Sequence, residues 1–177
     1  MQDCRTKLAN NKNNEVADEN CFVGFDCFEK VIDTNPDIII LATPPHFRPE
    51  HFAAAINAKK HVFMEKPVAV DPTGIRSILA SAERAVQFDL CVGTGTQRRH
   101  QRNYVSTYEH IKSGAIGDIV SANCYWNQGK LWHRNKQASW TEMEFMIRDC
   151  VNWCWLSGDH ITEQHIHNLD VINWVKG

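Results

Sequence analysis

The sequence predicts an α/β protein built around a parallel sheet. Ile38–Leu41 is an unbroken apolar run bounded by proline-containing segments, which is typical of a central strand of a parallel sheet that is buried on both faces. Similar short apolar runs recur at His61–Glu65 and Leu90–Gly95, separated by helical patterns of about ten to sixteen residues. Strands that alternate with helices in this way form βα units whose strands lie parallel.

The elements of this first part follow one another in a regular order. Residues 1–20 are expected to form the end of a helix and a polar loop. Strands are expected at Cys21–Phe25, Ile38–Leu41, His61–Glu65 and Leu90–Gly95. Helices are expected at Asp26–Thr34, Pro49–Lys59 and Pro72–Gln87, with Asp26 and Asp71 as N-caps and Ile75, Ile78, Leu79 and Ala82 on the inner face of the last.

The pattern changes after Gly95. A helix is expected from about Gln101 to Ser113, followed by a half-exposed strand at Ile119–Trp126. The next stretch is rich in Trp, Asn, Gln and His, which favours a long loop at a ligand surface. The remainder, from about Glu144 to Gly177, is expected to be helical with a break near Ser157 and Gly158.

Composition excludes several classes of function. The 177 residues carry 43% apolar and 23% charged side chains with a net charge of −2, so no basic excess for nucleic-acid binding exists. The cluster Arg98, Arg99 and Arg102 is typical of a solvated helix start. No apolar run approaches the roughly 20 residues of a membrane span, so no membrane partner is expected. The seven cysteines contain no CxxC pair, which indicates reduced thiols.

Three polar segments are expected to meet at one edge of the sheet. Thr43–His46, Glu65–Pro67 and Thr94–Thr96 each follow a predicted strand. Because ligands of parallel sheets bind beyond the carboxyl ends of the strands, this edge is the predicted ligand site. A lysine there, such as Lys66, can hold a substrate hydroxyl and favour a developing alkoxide. The alternative is a solvated Glu-Lys pair in a loop.

Four segments together carry a family resemblance: ATPPHFRPEHFAAAINAKKHVFMEKP, VGTGTQRRH, SGAIGDIV and HIHNLDVINW. In this order they resemble the Gfo/Idh/MocA oxidoreductases, over roughly residues 21–177. The resemblance implies a Rossmann-like dinucleotide-binding domain, here residues 1–96, followed by an α+β substrate domain with a mainly antiparallel sheet, here residues 97–177. It implies NAD or NADP as cofactor, a sugar or polyol as substrate, and a homo-oligomer for the whole protein.

The sequence departs from the family pattern at the glycine-rich turn. It contains no G-x-G-x-x-G, the turn that binds a dinucleotide pyrophosphate at a helix N-terminus. The chain is therefore expected to be an internal fragment that lacks the glycine-rich unit and most of the second domain. A sheet without its first strands is expected to expose an apolar edge and one face not covered by helices.

The resemblance also implies roles for individual residues. Lys66 and His167 would be catalytic, with Lys66 polarising the substrate oxygen and His167 exchanging its proton, which suits an imidazole of near-neutral pKa. Glu163 stands where the family has an aspartate four residues before the histidine, and it would be a third catalytic residue that orients His167 or contacts the sugar. A cis bond between Lys66 and Pro67 is implied as well. The alternative for His167 is a histidine on a helix face with no catalytic role.

Two further groups of residues are assigned by the same resemblance. Cofactor-binding residues would be Thr43, Pro44, Pro45, His46, Glu65, Lys66 and Pro67. Substrate-binding residues would be Arg99, Tyr125, Asn127, Trp132 and His160, since rings stack on sugar faces and polar groups bind hydroxyls.

A metal site is the rival interpretation of the last segment. Asp159, His160, Glu163, His165 and His167 lie within nine residues. No HExxH and no distant cysteine pair completes a zinc set, so no metal is predicted. The function expected is an NAD(P)-dependent sugar or polyol oxidoreductase. The alternatives are an NAD-assisted glycoside hydrolase, or a non-catalytic binder or inactive truncated protein.

Overall fold

The computed structural model describes residues 16–177. Most of the segment expected to be a helix end and polar loop therefore lies outside the described residues, which begin with a short 3₁₀ turn at Asp18–Asn20. The strands are β1 (Ile38–Leu41), β2 (His61–Met64) and β3 (Val92–Thr94). The α-helices are α1 (Cys27–Asp33), α2 (Arg48–Asn57), α3 (Pro72–Gln87), α4 (Arg102–Lys112), α5 (Glu142–Arg148), α6 (Cys154–Ser157) and α7 (Ile166–Lys176).

The three strands form one parallel sheet in the order β1-β2-β3. Ile38 pairs with His61, and Phe63 pairs with both Ile40 and Gly93. Each strand is joined to the next through a helix, as parallel pairing requires. The α/β class and the parallel sheet predicted from the apolar runs are confirmed.

One face of the sheet forms the core. Ile39 and Leu41 of β1 and Val62 and Met64 of β2 are buried, because alternate strand residues point to the same face. They pack with apolar residues from α2 and α3, listed as Phe52, Ala55, Ile56, Ile78 and Ala85. Each large side chain buried here stabilises the fold by about 1.5–3 kcal/mol.

The other face of the sheet is open. Ile38 and Ile40 are 61% and 71% exposed, and Phe63 is 40% exposed. The expectation that β1 is buried on both faces is therefore wrong for the described residues. Among the described residues, one face of the sheet is therefore apolar and not covered by helices.

In helix α3 the predicted N-cap is confirmed, but the buried face differs from the predicted one. Its N-cap is Asp71, whose Oδ1 accepts a hydrogen bond from Gly74 N at 2.6 Å. The residues buried on this helix are Ile78, Ser81 and Ala85, whereas Leu79 is 59% exposed. The small side chains at 81 and 85 allow a close approach to α2, so the buried stripe lies beside the one that hydrophobicity alone predicts.

Asp26 behaves differently from Asp71. Helix α1 begins at Cys27 as expected, but the Asp26 side chain makes no cap hydrogen bond. Its carboxylate instead forms an ion pair with Lys30 Nζ at 2.7 Å. Asp26 thus occupies the predicted N-cap position, but its side chain does not cap the helix.

Two predicted strands are not formed. Cys21–Phe25 and Ile119–Trp126 have no strand assignment, and the described residues contain no antiparallel strand pair. Val120 is 94% exposed, so the second segment has no neighbour on which to form a ladder. A strand needs a paired partner as well as an alternating sequence, and residues 16–177 supply none for these segments.

The chain after β3 is mainly helical and irregular. The break expected near Ser157 is confirmed, since α6 ends at Gly158, which has a positive φ of 78°. A π-helical turn at Ile161–His165 then leads directly into α7. Across residues 16–177, no helix has the length and apolar character needed to cross a bilayer.

Candidate active site

Two loops at the carboxyl ends of β1 and β2 form the rim of the site. The first contains Thr43 and the second contains Glu65, whose backbone N–H donates to Leu41 O at 3.0 Å. The Lys66–Pro67 bond is cis, as the resemblance implies. Pro67 is fully buried, so this loop is fixed by packing as well as by the sheet.

Lys66 lies against Glu163, which comes from the far end of the chain. Lys66 Nζ donates to the Glu163 backbone O at 2.5 Å and lies 3.4 Å from its Oε2. The two side chains are only 18% and 19% exposed. An ammonium carries three N–H groups. Two acceptor atoms of Glu163 lie within hydrogen-bond distance of this ammonium.

Glu163 is part of the π-helical turn Ile161–His165. Such turns are rare and occur frequently at functional sites. Burial raises the pKa of the Glu163 carboxyl, while the nearby charges of Lys66 and Arg48 act in the opposite direction.

His167 is a buried histidine on the first turn of α7, with 8% exposure. Its ring stacks on Trp126 with centroids 5.7 Å apart. Burial lowers the pKa of His167, and the positive charges of Lys66 and Arg98 lower it further, with Asp170 and Glu65 opposing them. The imidazole is therefore neutral at pH 7 and able to accept a proton.

Arg98 is a member of this site that the sequence did not single out. Its guanidinium lies 5.4 Å from the ring centroids of both Tyr104 and Trp126, and it donates to Asn168 Oδ1. The cluster Arg98, Arg99 and Arg102 is expected from the sequence to be a solvated helix start. The sequence offers only the adjacency of Arg98 and Arg99 as a signal, and it does not say which one lies near His167.

Arg99, the arginine chosen from the resemblance, is held by an acidic partner. Its Nε and Nη2 donate to the Asp170 carboxylate at 2.9 Å, a bidentate arrangement. This pair connects the segment after β3 to α7. Arg99 is thus placed beside the site, with its hydrogen-bonding fork directed at Asp170.

The residues assigned to the cofactor lie along the rim. Thr43 Oγ1 is 3.2 Å from Nδ1 of the buried His51, and Pro44 lines an apolar cleft of about 660 Å³ with Phe25, Phe47 and Ile147. Pro45 is buried. His46 is exposed and makes an edge contact with Trp155 at 5.2 Å.

The residues assigned to the substrate are placed less uniformly. Tyr125 is 70% exposed and Trp132 is 51% exposed, while Asn127 is also exposed. His160 Nε2 lies 3.3 Å from Trp126 O, and Asn168 Nδ2 donates to Tyr125 O at 2.6 Å. The loop that carries the aromatic residues is therefore attached to α7 and the π turn.

Asp149 attaches the same loop at its other end. Its side chain is 2% exposed, and it accepts from Arg134 N at 2.8 Å and from Asn152 Nδ2 at 3.0 Å. Asn152 Nδ2 also donates to Trp132 O at 3.0 Å. Trp132 thus presents an exposed ring from a fixed backbone.

No metal-binding group is formed by the histidines and acids of the last segment. Within residues 16–177, no three His, Cys, Asp or Glu side chains are placed to hold one ion. His160 and His165 have ring centroids 6.0 Å apart and do not converge on a shared point with Glu163.

The comparison with known families explains this arrangement. A sequence model described as "Oxidoreductase family, NAD-binding Rossmann fold", that of Gfo/Idh/MocA, matches residues 5–113, which is more than half of the chain. The chain belongs to this family. The family resemblance is thereby confirmed, over a range that includes the Glu-Lys-Pro segment, and so are the Rossmann class and the NAD-type cofactor of the family.

Individual relatives of the Gfo/Idh/MocA family support the assignment. The chain is 28% identical over 145 residues to a 2,7-anhydro-N-acetylneuraminate hydratase of Escherichia coli (strain K12), covering 80% of the chain and 34% of that protein. It is 32% identical over 130 residues to an inositol 2-dehydrogenase of Pseudomonas savastanoi pv. phaseolicola, covering 71% and 31%. The chain thus spans about a third of the length of these curated relatives.

A solved structure shows the same fold. The WlbA dehydrogenase from Bordetella pertussis, in complex with NADH and UDP-GlcNAcA, superposes with a TM-score of 0.66 at 18% identity, covering 100% of this chain and 45% of that one. At this level of identity the likeness concerns the fold alone.

The rim of this Gfo/Idh/MocA chain fits one half of a nicotinamide dinucleotide. Glu65 lies directly against the end of β3, since a Cβ added to Gly95 would be 2.8 Å from Glu65 Oε2. The Thr43 hydroxyl and the Glu65 carboxylate are suited to a ribose or a carboxamide. The sequence has no G-x-G-x-x-G for the pyrophosphate.

Proposed function

We propose that this protein is an NAD(P)-dependent oxidoreductase that acts on the carbinol group of a sugar or polyol. The observation that carries the proposal is the contact between Lys66 and Glu163 beside a neutral, buried His167. This contact joins the rim of a parallel sheet to the π-helical turn that leads into α7. The charge of Lys66 acts on the pKa of His167, so a hydrogen-bond donor and a proton acceptor lie in the same neighbourhood. Membership of an NAD-binding oxidoreductase family supports the cofactor.

The three residues have distinct roles in the proposed reaction. Nicotinamide, when bound, supplies the acceptor for the hydride that leaves the carbinol carbon. His167 accepts the hydroxyl proton, because its lowered pKa keeps the imidazole neutral at pH 7. Lys66 donates a hydrogen bond to the same oxygen and stabilises the charge that develops there. Glu163 fixes the position of the Lys66 ammonium.

The substrate is held by residues of the second half of the chain. Arg98, stacked between Tyr104 and Trp126, presents guanidinium N–H groups close to His167. The exposed rings of Tyr125 and Trp132 offer faces for a sugar ring. Arg99 supports the site through Asp170, and His160 supports it through the backbone of Trp126. An inositol is a suitable first substrate, because a relative is an inositol 2-dehydrogenase.

A second candidate is a reaction without net redox change. It is favoured by the relative described as a hydratase. A hydration adds water to a substrate without changing its oxidation state overall, so NADH would not accumulate. The two candidates differ in one readout, which is the formation of NADH in step with the consumption of the sugar.

The test is the replacement Lys66→Met, assayed by NADH formation with inositol and a panel of neutral sugars. We expect the rate to fall about 100- to 1,000-fold, as when one preorganised donor to a developing oxyanion is removed. NADH binding, measured by fluorescence, should change only a few-fold. Lys112→Met, at the exposed end of α4, is the matched control and should retain the full rate.

Three outcomes are distinguishable. An unchanged rate in Lys66→Met contradicts the role of Lys66. Conversion of sugar without NADH supports the second candidate. Binding of NADH and sugar without any conversion, in the parent protein and in both variants, indicates a non-catalytic binder.

A further inference from the structure

Arg48 is a buried cation that contacts both loops of the rim. Its side chain is 5% exposed, and it stands at the first position of α2. Nε donates to Thr43 O at 2.8 Å, and Nη1 donates to Glu65 O at 2.8 Å and to Pro67 O at 2.5 Å. One guanidinium therefore connects the loop after β1 with the loop after β2.

The position of this cation is electrostatically unfavourable by itself. The N-terminus of a helix carries a partial positive charge and favours acidic side chains. Burial adds a desolvation cost to the guanidinium. Among the described residues, Arg48 has no carboxylate within ion-pair distance, and its three hydrogen bonds all go to backbone carbonyl groups. Its presence is therefore explained by what these contacts hold in place.

The carbonyl groups that Arg48 binds flank the proposed catalytic lysine. Glu65 O and Pro67 O lie on either side of Lys66 in the chain, so the backbone from which Lys66 projects is fixed at both ends. The planar fork of an arginine suits several acceptors at once, whereas the single ammonium of a lysine does not.

Arg48 also acts on Glu163 through its charge. The groups that act electrostatically on Arg48 are Glu163, Glu65 and Cys150. The charged groups that face Glu163 are Lys66 and Arg48, and both oppose the rise in its pKa that burial causes. The thiol of Cys150, whose pKa is raised by burial, lies in the same neighbourhood.

We infer that Arg48 is a positioning residue, which clamps the two rim loops together and thereby directs Lys66 towards Glu163 and His167. This inference rests on the proposed function, since it assigns Arg48 a task in the same site. It does not require Arg48 to touch substrate. The alternative is a purely structural role, in which Arg48 supplies hydrogen bonds to three buried carbonyl groups and contributes to stability alone.

The experiment compares Arg48→Gln, Arg48→Lys and the control Arg84→Gln in the full chain. Arg84 also joins two elements by side-chain hydrogen bonds, to Asn57 at the end of α2 and to Ser81, but it lies away from the rim. Two readouts are measured. The first is kcat and KM for inositol oxidation. The second is the titration of the Glu163 carboxyl by ¹³C NMR, assigned with Glu163→Gln.

The two readouts are expected to separate the effect of the Arg48 hydrogen bonds from the effect of its charge. Arg48→Gln should lower kcat about 10- to 100-fold, as expected for lost buried hydrogen bonds from a charged donor, and should shift the Glu163 titration to higher pH. Arg48→Lys should restore the Glu163 titration but recover little of kcat, because one ammonium cannot reach all three carbonyl groups. Arg84→Gln should change neither readout.

The outcomes remain informative if a variant is unstable or if the protein has no turnover. If Arg48→Gln does not fold, Arg48→Ala with added guanidinium ions replaces it, and recovery of kcat by the ion supports the clamp. If the parent protein does not oxidise sugars, the proposed function fails, while the NMR titration still tests the link from Arg48 to Glu163. A Glu163 titration and a kcat that are unchanged in Arg48→Gln overturn the inference.

Discussion

The two halves of the molecule are stabilised in different ways. In the first, from β1 to β3, an apolar cluster is buried between the sheet and helices α2 and α3. In the second, residues 97–177, Leu156 is the one apolar side chain that is buried. The second half is shaped instead by polar contacts, such as the Arg99–Asp170 pair and the buried Asp149.

This difference in packing indicates that the two halves have different roles in the candidate site. A close-packed core gives β1 and β2 fixed ends, so the loops of Thr43 and Lys66 occupy defined positions. Polar contacts and exposed rings leave the second half more able to adapt to a ligand, because local stability is lowest where few apolar groups are buried. The candidate site lies where the halves meet, at the contact between Lys66 and Glu163.

The largest expected effect tests the contrast in packing. Phe52→Ala removes a ring that is 1% exposed in the core and should lower the free energy of unfolding by about 3–5 kcal/mol. Trp132→Ala removes a ring that is 51% exposed and should change it by less than about 0.5 kcal/mol. Denaturant unfolding of the two variants makes the comparison. Equal losses would contradict the division between the halves.

The next effect tests the chemistry at the junction. His167→Asn should reduce sugar oxidation at least about a hundredfold. In the parent protein the neutral imidazole is the active form, so activity should fall as the pH drops through the His167 pKa. Since burial lowers that pKa, the acid limb of the kcat profile should lie below the ordinary histidine value of about 6.5. His110 is an exposed histidine on α4, and His110→Asn should leave both kcat and the acid limb of its pH profile unchanged.

A limb centred above that value would contradict the burial of His167. If the acid limb of the kcat profile is still present in His167→Asn, the group that titrates is not His167.

The smallest effect concerns the polar contacts of the second half. Arg99 and Asp170 have side chains that are 38% and 17% exposed, so solvent screens much of their attraction. Arg99→Gln should destabilise the protein by about 1 kcal/mol or less, and the effect should diminish at high salt. A double-mutant cycle with Asp170→Asn measures the pair, with Arg148 and Glu144 as the more exposed control pair. A coupling of several kcal/mol would show that this half depends on buried charge.

The contrast in packing between the two halves also explains which elements the sequence predicts correctly. The strands β1 to β3 and the helices between them follow from apolar runs and caps such as Asp71, because their core is local to this segment. The strands expected at residues 21–25 and 119–126 are not formed, because pairing depends on a partner that alternation does not specify. The buried stripe of α3 also required knowledge of how closely it approaches α2.

The candidate site was predictable only in part. Lys66 follows from its place after β2, and the family resemblance pointed to His167 and Glu163. The stacking of Trp126 on His167 and the choice between Arg98 and Arg99 depend on contacts between residues about 40 to 70 positions apart. The role of Arg48 depends on three backbone carbonyl groups, which leave no trace in the pattern of side chains.

The central claim is that the junction of the two halves oxidises a carbinol. The most direct measurement uses inositol deuterated at its carbinol carbons, with the protein and oxidised nicotinamide cofactor, and follows the label by mass spectrometry. The account predicts that deuterium appears in the reduced nicotinamide, and that Lys66→Met slows its appearance about 100- to 1,000-fold. Turnover of a sugar with every deuterium retained on its original carbon, and none in the cofactor, would contradict it.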